Sequence, residues 1–218
     1  MCLVTEPKHS PALDLAHIAR RTLGHYDANA ERFWTGTKGH DVRQNLDALL
    51  EACGPRTGLR ILDFGCGPGR DLVALRDLGH VPVGLDGCES FVRMARAHSG
   101  CEVLHQSFFE LRLPIGAFDG IFANASLFHV PRALLPPVLA ALRAALQPSG
   151  VLFCSNPRSF EGDTEGFSGD RYGTYLTVET WRDTLEAAGL RVENAYLRPS
   201  GRPEAEQPWT AMVARKAP

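Results

Sequence analysis

The segment of this chain best suited to chemistry is glycine-rich. The run Ile61-Leu-Asp-Phe-Gly-Cys-Gly-Pro-Gly-Arg70 places glycines at 65, 67 and 69 between an apolar run and a helical pattern. Glycine at such a turn accepts unusual backbone dihedrals and lets a ligand approach the backbone closely. The amides at the start of the following helix can bind an anionic group. This stretch therefore predicts a ligand site at a strand-to-helix turn.

Two acidic residues, and the absence of a third glycine at the position that a dinucleotide-binding loop requires, indicate which kind of ligand binds here. A dinucleotide-binding loop in register with Gly65 and Gly67 needs a third glycine where this chain has Arg70. Asp63 can accept from an ammonium beside the loop. Asp86 follows the next apolar run, the usual place for an acid that holds ribose hydroxyls, although an aspartate there can also simply form a turn. The pattern thus argues against a dinucleotide.

The elements that must position these residues alternate between strands and helices, which indicates an α/β fold with a parallel sheet. We predict strands at 60–64, 81–85, 102–105, 118–123, 151–155, 190–197 and 209–214. Helices are expected at 70–78, at 88–97, from Pro131 onward and from Thr177 to Gly189, with a hairpin-like excursion at 199–208.

An N-terminal helical segment precedes the sheet. Two or three helices are expected between residues 10 and 53, the first of them beginning at Ser10-Pro11. Residues 26–41 are aromatic, polar and weakly periodic, as in a lid over a ligand or an ordinary surface connection. We expect one domain over 1–218, with a helical lid segment at 1–58 and a Rossmann-like core at 59–218.

Composition limits the partners. The 218 residues are 44% hydrophobic and 22% charged with a net charge of -2, so the chain can bury a core and has no basic excess for nucleic acid. The six cysteines show no zinc spacing. Neither a secretion signal nor an apolar run of roughly 18 residues is visible. We expect a reduced, cytoplasmic protein without nucleic-acid, membrane or metal partners, as a monomer or homodimer.

Three motifs together resemble the class I S-adenosylmethionine (SAM)-dependent methyltransferases: D-F-G-C-G-P-G at 63–69, the acid at 86, and F-D-G-I-F-A-N at 118–124. The resemblance implies a seven-stranded sheet with the last strand antiparallel, SAM as cofactor and S-adenosylhomocysteine as product. The glycine loop would meet the methionine carboxylate and the loop at 106–108 the adenine. Many relatives carry an acid in that loop where this chain has Ser107 and Phe108. The residues expected at the cofactor are Tyr26, Phe33, Asp63, Gly65, Cys66, Gly67, Gly69, Asp86, Gly87, Ser107, Phe108 and Asn124.

A narrower resemblance concerns the acceptor. Residues 26–41, Asn124-Ala-Ser-Leu-Phe-His-Val130, Ser155-Asn-Pro-Arg158 and Arg171-Tyr-Gly-Thr-Tyr175 are similar to the methyltransferase module of ovothiol-biosynthesis enzymes. In those proteins an iron-dependent sulfoxide synthase precedes the module, which methylates an imidazole nitrogen of a thiolated histidine. This chain would be a stand-alone counterpart acting on 5-thiohistidine, its selenium analogue, or another small imidazole or amine.

Methylation of an imidazole makes modest demands on the protein. Methyl transfer from a sulfonium is an in-line displacement that depends on positioning and desolvation. Imidazole, with a pKa near 6.5, keeps a free lone pair at neutral pH, so only an acceptor for the other ring N–H is needed. His129 is the first catalytic candidate, and the alternative is that it is only a histidine packed against the following helix. His40 and Asp41 come next, and the alternative for Asp41 is that it simply caps the helix after it. The substrate candidates are Phe128, Asn156, Arg158, Tyr172 and Tyr175, among which Arg158 could pair with a carboxylate or lie at the surface.

Two other functions stay open. A methyltransferase acting on RNA or protein is disfavoured by the missing basic excess. A catalytically silent partner subunit that only binds cofactor is disfavoured by the intact Asp63, glycine loop and Asp86.

Overall fold

The structure is a computed structural model that describes residues 14–218. Its N-terminal segment contains three helices: α1 (Leu15–Ala28), α2 (Ala30–Thr37) and α3 (Arg43–Cys53). The Asp14 carboxylate accepts from the His17 N–H at 2.9 Å and caps α1. The helix start expected at Ser10-Pro11 lies outside the described residues.

The centre of the molecule is a seven-stranded sheet. Its strands are β1 (Arg60–Phe64), β2 (Val81–Asp86), β3 (Glu102–His105), β4 (Phe118–Asn124), β5 (Leu146–Pro157), β8 (Leu190–Arg198) and β9 (Trp209–Lys216). They lie in the order β3-β2-β1-β4-β5-β9-β8, and only β9 runs antiparallel to its neighbours. The predicted α/β fold with an antiparallel last strand is confirmed.

Helices cover both faces of the sheet. They are α4 (Arg70–Asp77), α5 (Glu89–Ser99), α6 (Leu135–Ala145) and α7 (Val178–Ala187), in addition to the N-terminal helices. Because side chains alternate along a strand, Leu152 of β5 packs in one core with Trp181 of α7, while Phe153 packs in another with Leu49 of α3. As predicted, the Thr177 side chain caps α7, accepting from Thr180 N–H.

Four elements differ from the sequence prediction. The stretch treated as a loop after β5 contains a hairpin, β6 (Thr164–Ser168) and β7 (Arg171–Tyr175), which α1 stabilises through an Arg21–Asp170 ion pair at 3.0 Å. Residues 26–41 are largely helical. Strand β5 begins at Leu146, ahead of the predicted 151. Pro131 precedes a 3-10 turn, so α6 begins only at Leu135. Within 14–218 no helix is both long and apolar enough to cross a membrane.

Candidate active site

Two adjoining cavities lie at the carboxyl ends of β1, β2 and β4, where the sheet meets the N-terminal helices. The inner cavity is lined by residues that include Thr22, Leu23, Tyr26, Asp86, Gly87, Ser107, Phe108, Phe109, Ser126 and His129. The outer cavity, of about 610 Å³, is lined by residues that include Trp34, Thr37, His40, Asp41, Asn45, Cys66, Arg70, Asn124, Ser155, Arg198 and Trp209. Phe33, Gly65, Gly67 and Ala125 line both, so the two cavities share a wall.

The glycine loop joins β1 to α4, and two of its glycines are required by packing. Gly65, Gly67 and Gly69 all have positive φ angles, of 80°, 52° and 94°. A Cβ on Gly69 would lie 2.8 Å from the Cα of Ala95, and one on Gly65 would collide with Ser126. A Cβ on Gly67 would meet only Phe33, at 3.8 Å. The open surface at Gly67 is therefore the part of the loop that a ligand can approach.

The backbone N–H groups of the glycine loop already donate hydrogen bonds within the protein. The N–H groups of Gly65 and Cys66 donate to Leu85 O, and Gly67 N–H donates to Asp86 Oδ2 at 2.9 Å. Of the two places predicted for an anionic group, the start of α4 is therefore the one whose N–H groups would bind it, and this contact stays a prediction.

Asp63 is a buried acid near the end of β1 that lines neither cavity. Its side chain is 2% exposed, and Oδ2 has no hydrogen-bond partner among the described residues. Burial, followed by repulsion from Asp71, raises the pKa of this carboxyl well above its usual value. A buried, unpaired carboxylate is costly, and the ammonium of SAM would supply the missing partner.

Asp86 ends β2 and lines the inner cavity. Its Oδ1 accepts from Cys88 N–H at 2.8 Å, opposite the bond from Gly67 to Oδ2. Each carboxylate oxygen keeps a further lone pair, so two ribose hydroxyls can still donate to it. Burial raises the pKa of the Asp86 carboxyl to about 6, and the hydrogen bonds from the backbone amides oppose this increase.

An aromatic and hydroxyl-bearing loop forms the side of the inner cavity expected to hold adenine. Phe108 stacks on Phe64 with ring centroids 4.3 Å apart. Ser107 Oγ accepts from Phe109 N–H at 3.1 Å, which closes the loop. Ser107, Phe108 and Gly87 thus line one cavity together with Asp86, and their contacts with a cofactor stay a prediction.

His129 lies in the inner cavity with both ring nitrogens bonded. Nδ1 lies 2.7 Å from Tyr172 O, and because a carbonyl only accepts, this nitrogen carries the proton. Nε2 therefore accepts from the Tyr26 hydroxyl at 2.8 Å. Burial lowers the pKa of His129 to about 4, so the ring is neutral. His129 can reach an acceptor only through Tyr26.

Helix α2 is tied to the glycine loop. Arg70 donates to Thr37 O at 2.9 Å while its guanidinium also holds Asp71. Trp34 stacks on His98 at 4.6 Å, and His98 Nδ1–H donates to Pro68 O. These contacts hold Phe33 and Trp34 over the loop, as a lid requires.

The residues predicted in the lid and at the end of β4 line the outer cavity. His40 and Asp41 are exposed there, and the Asp41 carboxylate accepts from Arg43 N–H at 2.9 Å in the manner of a helix cap. Asn124 Oδ1 accepts from Asn45 Nδ2 at 2.9 Å. This hydrogen bond from α3 therefore fixes the Asn124 side chain at the end of β4.

The predicted substrate residues do not line either cavity. Arg158 donates to Glu204 and to Gln207 O, so its guanidinium holds the turn before β9. Asn156 is 1% exposed and lies on the sheet face opposite to Ser155, which does line the outer cavity. Phe128 and Tyr175 pack together at 6.3 Å, and Tyr172 contributes its backbone carbonyl to His129. Their substrate contacts stay predictions.

Several cavity residues were missed by the sequence interpretation. Asn45 had a usable signal, since it is a polar residue on the otherwise apolar buried stripe of α3. Ala125 has a positive φ of 57°, which is an uncommon conformation for a residue other than glycine, and an alanine in the sequence gives no indication of it. Arg198 and Trp209 reach the site only because β8 and β9 pair beside β5.

Comparison with known proteins agrees with this fold. Residues 61–150 match the family described as "Methyltransferase domain". Residues 61–150 thus match a methyltransferase domain, and the seven-stranded sheet has the fold of the class I SAM-dependent methyltransferases.

Individual relatives differ in what they act on. Over 162 residues, 65% of this chain and 63% of the relative, the chain is 35% identical to a ubiquinone biosynthesis O-methyltransferase of Dinoroseobacter shibae. It is 33% identical over 153 residues, 68% of this chain and 46% of the relative, to a ribosomal protein L11 methyltransferase of Bordetella parapertussis. The chain therefore spans about half to three fifths of these curated relatives. The structure of the Burkholderia thailandensis 1,6-didemethyltoxoflavin-N1-methyltransferase, solved with that compound and S-adenosylhomocysteine, superposes with a TM-score of 0.69 and 22% identity, covering 99% of this chain and 94% of the other.

Proposed function

We propose that this protein transfers the methyl group of SAM to a small acceptor and releases S-adenosylhomocysteine. The observation that carries the proposal is the buried, unpartnered oxygen of Asp63, a carboxyl close enough to Asp71 and Asp86 for their charges to raise its pKa. Asp63 would hold the methionine ammonium, Asp86 the ribose, and the loop at 107–109 the adenine. SAM supplies an electrophilic methyl group on a sulfonium, and the protein positions the acceptor in line with it.

The acceptor would occupy the outer cavity, which the lid residues Trp34 and Asp41 line from one side and Trp209 from the other. A site covered by helices suits a small molecule, and a net charge of -2 does not favour a nucleic acid. We place the acceptor among small nitrogen heterocycles, with a thiolated or selenated histidine methylated on its imidazole as the specific candidate.

Two observations support a ring nitrogen as the methylated atom. The segments 26–41 and 124–130, which resemble ovothiol methyltransferase modules, line or adjoin the two cavities. The similar Burkholderia enzyme, whose coverage includes the lid, is an N1-methyltransferase crystallised with a nitrogen heterocycle. Such an acceptor needs no strong base, and this site offers a neutral His129 bonded to Tyr26.

The departing ring proton requires only a hydrogen-bond acceptor. The Tyr26 hydroxyl donates to His129, and its oxygen has two lone pairs, so it can accept from a ring N–H as well as from the nearby Arg171. Because burial lowers the pKa of His129 to about 4, this ring does not keep the proton, which leaves with the product for solvent. Tyr26 lines the inner cavity, so in this proposal the acceptor's ring reaches from the outer cavity to the wall that the two cavities share, where it meets Tyr26. His129 positions Tyr26.

The test is a turnover assay with SAM and a panel of acceptors, with methylated products read by mass spectrometry. The panel contains 5-thiohistidine, its selenium analogue, histidine, a catechol and a simple thiol. Selective methylation of a histidine derivative at nitrogen supports the proposal. Product only from the catechol would move the protein to O-methylation, as named for its ubiquinone-pathway relative. Binding of SAM without any product would direct the search to protein, RNA or a silent partner role.

The setting we propose is the reduced cytoplasm. The five cysteines of the described part, Cys53, Cys66, Cys88, Cys101 and Cys154, are all free thiols. No group of three or more potential metal ligands occurs among residues 14–218.

A further inference from the structure

Arg198 is a cation on the wall of the outer cavity without an acidic partner in the described chain. Its guanidinium makes one hydrogen bond, to the backbone carbonyl of Asp41 at 3.2 Å. The other arginine of this cavity, Arg70, is fully engaged by Asp71 and Thr37. Arg198 is half-buried, so its remaining N–H groups face the cavity rather than bulk solvent alone.

A carboxylate lies next to this cation. Asp41 lines the same cavity, and its Oδ1 accepts only the Arg43 N–H at 2.9 Å. The Arg198–Asp41 contact runs through the backbone, so the two side-chain charges are not neutralised by each other in an ion pair. The cavity wall therefore presents a positive and a negative group side by side.

We propose that Arg198 and Asp41 bind the amino-acid head group of the acceptor: Arg198 its carboxylate and Asp41 its ammonium. The inference rests on the proposed methyl-transfer function and specifies its substrate class as a free α-amino acid with a reactive side chain. Arginine is suited to this because its planar guanidinium can grip a carboxylate through two parallel hydrogen bonds.

The position in the sheet assigns this pair to the acceptor rather than to SAM. The glycine loop and Asp63 belong to β1, whereas Arg198 ends β8, four strands away in the order β1-β4-β5-β9-β8. At a strand spacing of about 4.8 Å the two strands are about 19 Å apart. Between them lie Asn124 of β4 and Trp209 of β9, which pairs directly with Arg198. The methionine end of SAM, held at β1, leaves this far end of the cavity free.

The experiment compares three probes that differ only in the head group: 5-thiohistidine, its decarboxylated amine, and its deaminated propionate. Each is titrated into the S-adenosylhomocysteine complex by calorimetry, and its methylation is followed with SAM. The variants are Arg198→Gln and Arg198→Lys, Asp41→Asn, and Arg202→Gln as a control on the same excursion, where Arg202 is exposed.

We expect the wild type to bind 5-thiohistidine at least tenfold more tightly than either truncated probe. Arg198→Gln should remove the advantage over the amine, Arg198→Lys should restore part of it, and Asp41→Asn should remove the advantage over the propionate. Arg202→Gln should change neither ratio, and none of the variants should change the affinity for S-adenosylhomocysteine.

Different failures point to different errors. Equal wild-type affinity for the three probes, or an equal loss for all three in Arg198→Gln, overturns the head-group assignment even if methylation proceeds. A fall in S-adenosylhomocysteine affinity in Arg198→Gln overturns it in favour of a cofactor contact. Head-group-dependent binding without turnover supports the Arg198 and Asp41 assignment while contradicting the proposed function.

Discussion

The Tyr26 hydroxyl donates to His129 Nε2 at 2.8 Å, which links the first helix of the lid to the loop that follows β4. The opposite ring nitrogen of His129 donates to the carbonyl of Tyr172 in β7 at 2.7 Å. One neutral imidazole thus holds three segments that are distant in sequence and fixes the direction of each hydrogen bond. The sequence analysis named His129 as the candidate acceptor for the substrate's ring N–H. In the structure this ring instead holds the Tyr26 hydroxyl in place.

This arrangement predicts that Tyr26 and His129 act as a unit in turnover. Tyr26→Phe and His129→Gln should each lower kcat by about 10²- to 10⁴-fold, because a positioned general acid–base contact contributes on that scale. The double variant should be scarcely slower than the worse single one. Affinity for S-adenosylhomocysteine, measured by calorimetry, should change little in His129→Gln.

A merely structural role gives another result. If the two positions only support packing, the unfolding free energies fall while kcat of the folded fraction stays near wild type. Additive losses of kcat in the double variant would contradict the coupling.

The low pKa of His129 predicts an acid-sensitive contribution to stability. Burial lowers this pKa from 6.5 to about 4, so between those values the unfolded chain binds a proton that the folded chain does not. Stability from this group is complete above pH 6.5 and is lost as the pH falls toward 4, by up to about 1.4 kcal/mol per pH unit. Urea unfolding at pH 7.5 and 5 should show a smaller loss in His129→Gln than in wild type.

The opposite contributions of the buried acids do not disturb this comparison. Asp63 and Asp86 have raised pKa values and stabilise the fold as the pH falls, but they are present in both proteins. His40→Gln, at an exposed position, serves as the control and should keep the wild-type pH dependence. An unchanged pH dependence in His129→Gln would show that folding does not lower the pKa of His129.

The sequence predicted the sheet well because local signals carry it, and the same signals place the glycine loop and the two acids at the ends of neighbouring strands. The glycine loop, Asp63 and Asp86 follow strands whose apolar runs are short and clearly bounded, and β9 pairs antiparallel as the resemblance implied. Hydrophobic periodicity and turn chemistry act within a few residues, so they can be read from one chain.

The acceptor side was less predictable because long-range pairing forms it. Arg198 reaches the outer cavity through β8 pairing with β9, and Arg158 is turned away by its bonds to Glu204 and Gln207. Asn156 and Ser155 are neighbours in sequence, but the alternation of β5 decides which of them faces the cavity. These outcomes depend on register, which single-residue signals do not encode.

Asp63 predicts a separation between cofactor affinity and stability. Asp63→Asn removes a buried charge that has an unpaired oxygen, so the free protein should be as stable as wild type or more stable. Affinity for S-adenosylhomocysteine should fall about 10- to 100-fold, since a hydrogen bond between charged groups contributes about 1.5–3 kcal/mol. Thermal unfolding with and without the ligand measures both quantities.

Two further substitutions, one at the proposed ribose contact and one at an exposed control position, help to interpret this result. Asp86→Ala should also weaken S-adenosylhomocysteine binding, through lost ribose contacts, and unchanged affinity would contradict the assigned ribose site. Asp77→Asn, at an exposed residue paired with Arg76, is the matched control and should alter neither binding nor stability. Wild-type affinity in Asp63→Asn would remove the ammonium contact from the proposal.

The glycine loop predicts opposite behaviour for two neighbouring glycines. In Gly67→Ala the new methyl meets only Phe33 at 3.8 Å, so folding loses about 1–2 kcal/mol from the positive φ alone. Binding of S-adenosylhomocysteine should nevertheless fall steeply, because the methyl fills the surface left for the ligand. In Gly69→Ala the methyl lies 2.8 Å from the Ala95 backbone, so overpacking adds to the φ strain and stability should drop by about 2–5 kcal/mol. Denaturant unfolding and calorimetry on the folded fraction separate the two effects, and equal losses of binding in both variants would show that Gly67 has no special place in the site.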